Sequence, residues 1–177
     1  MKKSRIFNFW AIAALLCSAT FVSCESEEDA TSPLSDETLT TLSVKYSVEV
    51  SEDYLDFFDV YAIYGKNQEE GATSTISGIG WTYEENFNDN SVVIPERLFC
   101  RVIAIPKATT PEIDTEKTYI FEANYAMRVS GVRANGQSYN PGSTAQNPRL
   151  PVPGNKLQEM LDKGERTIAN YSCEIDK

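Results

Sequence analysis

The chain has 177 residues, 16 of them Lys or Arg against 26 Asp or Glu, with no histidine and four cysteines, for a net charge of −10. Such acidity without a basic stripe repels phosphate backbones, which argues against nucleic acid as a partner. Without imidazole the usual general base, the Ser-His and Cys-His nucleophile pairs and the commonest transition-metal ligand are all missing.

The first segment reads as a leader. Lys2, Lys3 and Arg5 precede a mostly apolar run from Ile6 to Val22, interrupted at Asn8 and closing on the small residues Ser18, Ala19 and Ser23. A permanent span needs roughly 18 or more uninterrupted apolar residues, so cleavage fits better than an uncleaved anchor. The segment resembles a bacterial lipoprotein signal ending at Cys24. Ser23 matches that pattern; Phe21 departs from the usual Leu, and Cys17, preceded by Leu15 and Leu16, is the poorer acceptor. The resemblance implies residues 1–23 as signal peptide and lipidation at Cys24; the competing reading is a plain secretory signal that leaves Cys24 free. Without its leader cations the chain has 13 basic against 26 acidic residues, a charge of −13.

Ser26, Glu27, Glu28 and Asp29 follow the cysteine. This block resembles the export signal of Bacteroidetes lipoproteins carried to the outer face of the outer membrane, and implies display at the cell surface; the competing reading is a solvated acidic tether on a periplasmic protein. Residues 24–40, rich in Ser, Thr, Asp and Glu, bury too little apolar surface to order, so they are expected to form a flexible stalk before one domain at 41–177.

From Ser43 the pattern becomes period two. Val44, Tyr46, Val48 and Val50 alternate with Ser43, Lys45, Ser47 and Glu49, as in a strand with one buried face. The runs Phe57–Tyr64 and Leu98–Ile105 are apolar on both faces and predict central strands covered on both sides. Thr73–Tyr83, with Gly78 and Gly80 inside it, predicts one bent or bulged strand; Val92–Ile94 predicts a short one stopped by Pro95. Thr118–Val129 alternates more cleanly, and 134–153 reads as loop.

Near the end, Asn155 with Gln158 predicts a capping box, Leu157, Met160 and Leu161 share a helical face, and Gly164 supplies a left-handed stop. That helix is expected over the outer faces of the two doubly apolar strands. A last strand follows, with Ala169, Tyr171, Cys173 and Ile175 on one side. About seven short strands and one C-terminal helix predict an all-β, two-sheet antiparallel sandwich of immunoglobulin-like type, with a closed barrel as the alternative. The stretch Asp53–Val60 is similar to one in small Bacteroidetes lipoproteins of unknown function. That similarity implies an all-β extracytoplasmic domain and assigns no functional residue.

Chemistry is sparse. Two cysteines beyond Cys24 cannot make an all-thiolate zinc site, and Gly78-Ile79-Gly80 has neither the following helix nor the Lys of a phosphate loop. No metal or cofactor is expected. Asp53, Asp56 and Asp59 are the densest acids near aromatics, but read more readily as turn decoration than as a glycosidase pair. Residues 84–90 have the oxygen-rich character of a calcium loop without the EF-hand Gly and terminal Glu, so a polar hairpin is preferred. Trp81 and Tyr83 share core parity, whereas Tyr61 and Tyr139 are candidate ligand contacts, each with a packed or solvated alternative. Cys100 and Cys173 both face inward, as a disulfide or as two buried thiols.

The expectation is a non-catalytic surface lipoprotein, anchored to the outer membrane by its lipid and binding a glycan, a host molecule or a partner lipoprotein. The alternatives are a small carboxylate-based glycosidase and a pilus-type subunit exchanging strands.

Overall fold

In a computed structural model, describing residues 37–67, 71–88 and 93–176, the first alternating run becomes β1 (Leu39–Val50). Leu42, Val44, Tyr46, Val48 and Val50 are buried on one face, while Thr41, Lys45 and Glu49 are exposed on the other. The strand opens inside the stretch expected as tether. Leu39 is already buried, so the ordered domain starts before residue 41.

A short helix, α1 (Glu52–Phe57), follows and was not legible in the alternation. Its start replaces strand pairing with side chains. Ser51 Oγ donates to the Ile120 carbonyl at 2.7 Å and accepts the Glu122 amide at 3.1 Å, and the Asp53 carboxylate accepts the Ile120 amide. The backbone groups beyond the end of β1 are thereby satisfied. On its buried side, Tyr54 and Phe57 join Phe58, Tyr119 and Phe121 in an edge-to-face cluster with centroids 5.1 to 6.4 Å apart.

The remaining elements are β2 (Phe58–Lys66), β3 (Ala72–Ile76), β4 (Gly80–Asn88), β5 (Arg97–Pro106), β6 (Thr118–Arg133), β7 (Ser138–Gln146), β8 (Arg149–Pro153), α2 (Gly154–Asp162) and β9 (Arg166–Glu174). Every strand pairing is antiparallel. One sheet has the order β4-β1-β6-β7, with β8 also on β6; the other has β3-β2-β5-β9. The chain crosses between sheets from β1 to β2 and again from β4 to β5, while β1 pairs β4 and β2 pairs β5. The molecule is a two-sheet antiparallel β-sandwich. The described strands do not close into a barrel.

Four expectations are corrected. The run 73–83 is two strands in different sheets: inward parity changes between Ile76 and Trp81, and one continuous strand cannot bury both. Val93 and Ile94 form no strand, and Val92 lies outside the described residues. The stretch 134–153 holds β7, whose residues are mostly polar and exposed, and β8, whose Leu150 and Val152 are set between prolines that signal loop. Finally, α2 packs on β8 and β6 instead of over β2 and β5. It runs straight on from β8 and has too little connecting chain to reach the opposite sheet.

Candidate binding cleft

A cleft of about 460 Å³ lies between β8 and α2, lined by Leu150, Val152, Lys156, Glu159, Met160, Lys163 and Arg166. Its frame follows from local chemistry. Pro151 and Pro153 sit on β8, a strand paired only to β6, where a missing amide leaves no ladder gap. Directly after Pro153, the Gly154 amide donates to the Lys117 carbonyl at 2.8 Å, and any Cβ at this position would strike the Asp114 carbonyl. The helix is thus held against the 114–117 turn, which Tyr119 braces by accepting the Asp114 amide at 2.9 Å.

The helix start differs from expectation. Pro153 occupies the cap position without a side-chain bond, and Gln158 donates instead to Asp162 at 2.8 Å. The stop is as expected, with Gly164 at φ 76°. Leu157, Met160 and Leu161 are buried as read from the sequence. Their helical spacing leaves Lys156, Glu159 and Lys163 together on the adjoining face.

Electrostatically the cleft stands apart from the chain around it. Glu159 lies 3.6 Å from Lys156 Nζ and 3.4 Å from Lys163 Nζ; the Lys163 hydrogen bond and charge hold its carboxyl below the usual range. One carboxylate is therefore shared by two ammonium groups. Arg166 makes no ion pair among the described residues. Its charge is felt at Tyr54, where burial pushes the phenol up and the guanidinium pulls it partly back. The hollow has three cations, one carboxylate and an apolar floor.

The residues singled out from the sequence fall elsewhere. Tyr61 lies half-buried on the outer face of β2, between Thr75 of β3 and Ile103 of β5. Tyr139 is not a loop residue open to ligand. It is buried on β7, its hydroxyl accepts the Asp176 amide at 3.1 Å, and Arg133 lies 5.1 Å from its ring. It fastens the end of the chain. Trp81 and Tyr83 pack with Tyr46 and Tyr64 between the sheets, and Trp81 Nε1 donates to Ser74 at 3.1 Å.

Cys100 and Cys173 are free thiols, so the disulfide reading is corrected. They sit on adjacent strands, as parity allowed, but Cys100 faces Tyr171 and Cys173 faces Leu98. Diagonal neighbours in an antiparallel ladder are about 7–8 Å apart at Cα. That exceeds the reach of an unstrained disulfide. Asp53 is spent on β6, and Asp56 and Asp59 are exposed. Glu84 to Asn88 belong to β4, where alternate side chains leave opposite faces and cannot converge on one cation; Asp89 and Asn90 lie outside the described residues. Cys24, Ser26, Glu27, Glu28 and Asp29 do as well.

No family model, curated protein or solved structure matches the chain. The cleft itself escaped the sequence reading. Lys156, Lys163 and Arg166 lie within eleven residues that also hold Glu159, Asp162 and Glu165, and only the fold turns the three cations toward one cleft.

Proposed function

We propose that the protein is a lipid-anchored binding module displayed at the cell surface, holding a ligand without turning it over. The anchor part rests on the lipoprotein-like leader, Cys24 and the acids from Glu27 to Asp29. The observation that carries the binding part is the composition of the β8–α2 cleft. Its groups recognise charge and apolar surface, and its single carboxylate, Glu159, is held ionised by two lysines. Glycoside hydrolysis by the usual route needs two carboxyl groups about 5–10 Å apart, one of them kept protonated. Glu159 has no second carboxylate lining the cleft and is biased toward the wrong protonation state for an acid.

The core is drawn from Leu39 to Ile175, and residues 33–177 make a unit of their own. That unit, screened in soluble form against immobilised glycans and host surface proteins, is expected to retain at least one of them saturably with no product released. Product formation that is lost on substituting an acid pair would establish the glycosidase reading instead.

A further inference from the structure

We propose that the β8–α2 cleft binds a small organic anion, a carboxylate on an apolar body, with Arg166 as the principal charge partner and Leu150 and Met160 as the apolar floor. The inference rests on the binding reading and specifies its ligand class.

Charge supplies the first part of the argument. On a chain of net charge −10, long-range attraction cannot bring an anion in, so any anion site must be built locally. Lys156, Lys163 and Arg166 line the cleft against the one carboxylate of Glu159, which both lysines already share. Arg166 has no carboxylate partner among the described residues, whereas neighbouring Arg101 pairs with Glu165 at 3.8 Å. A guanidinium left over in this way offers a carboxylate a planar pair of donors beside the apolar side chains of the cleft.

The floor supplies the second part. Val152 and Met160 are buried, and beside them Leu150 keeps 39% of its surface exposed to the cleft. Inorganic sulfate or phosphate would leave that surface wet. An apolar body attached to the carboxylate covers it, adding roughly 25 cal/mol for each Å² removed from water. Methionine's unbranched, adaptable side chain at Met160 accommodates more than one shape of such a body. The volume of about 460 Å³ is within the range of small-molecule sites.

The test is a titration of soluble 33–177, with labelled methyl groups of Leu150 and Met160 followed by NMR. Hexanoate is the probe; hexanol carries the body without the charge, and sulfate the charge without the body. Hexanoate is expected to shift both methyls saturably with an affinity on the order of millimolar, as its size allows. Hexanol and sulfate are expected to bind at least about tenfold more weakly. Arg166→Gln should weaken hexanoate by about tenfold, while Arg166→Lys should keep most of the affinity. Unchanged Leu157 methyl shifts in the variants verify that α2 is still seated. Hexanoate binding indifferent to Arg166→Gln, equal binding of hexanol, or no saturable shift would each overturn the proposal. In the last case a ligand captured elsewhere by the glycan and protein screen would leave the binding reading standing.

Discussion

Cys100 is buried deeply enough that its thiol is pushed up from 9.0 to about 12, and burial likewise raises the phenols of Tyr46, Tyr54 and Tyr171. The folded chain therefore keeps protons that the unfolded chain gives up. Stability is expected to hold below pH 9 and to fall as pH rises from 9 toward 12, a window set by the Cys100 values. Thermal melts across that range check the sign; a melting temperature flat to pH 12 would contradict it. Cys173 is raised too, by desolvation and then by Glu174, but is only half-buried. Thiol counting on the unfolded, unreduced domain should find both Cys100 and Cys173 free, and in the folded domain Cys173 should be labelled first. Inward parity of these two residues was legible from their neighbours. Their pairing was not, because it depends on a β5–β9 register set by packing across the sheet.

Elements with one buried face were readable: β1 and β6 alternate over nearly their whole length, and β9 does so from Ala169. β2 and β5 were correctly central, yet their outer apolar residues do not receive α2. Strands β7 and β8 were unreadable, since β7 is mostly polar, β8 carries Pro151 and Pro153, and pairing to β6 alone makes them strands. Helix α1 has six residues, too few to show a period, and its anchoring lies in Ser51 and Asp53. Ser51→Ala removes both the bond to the Ile120 carbonyl and the acceptor of the Glu122 amide. A loss of about 1–3 kcal/mol is expected, read as a lower urea midpoint at unchanged slope. Gly154→Ala should cost a similar amount or more, because the added methyl must push the helix start off the Asp114 carbonyl. Unaltered stability of G154A would show that the cleft's frame yields more easily than the close approach implies.

At the scale of the whole molecule, two crossings interlock the sheets, so β1, β2, β4 and β5 hold one another while β6 to β9 are added around them. The sandwich class was legible because about seven short strand-like runs, some alternating and two apolar on both faces, have few other ways to bury their apolar residues in a chain this long. The cleft was not, as it arises only when β8, α2 and the start of β9 meet. The proposed anchor predicts that cells fed an alkynyl fatty acid label the protein, and that Cys24→Ala abolishes the label. Replacing Glu27, Glu28 and Asp29 should protect the protein from protease added outside intact cells, and unchanged cleavage of that variant would refute surface export. The central claim is binding without turnover. It is tested most directly by holding soluble 33–177 with a glycan or protein it captures, then recovering the ligand and measuring its mass. Stoichiometric retention with the ligand returned at unchanged mass is the predicted result; a ligand recovered cleaved or modified in proportion to time and protein contradicts it.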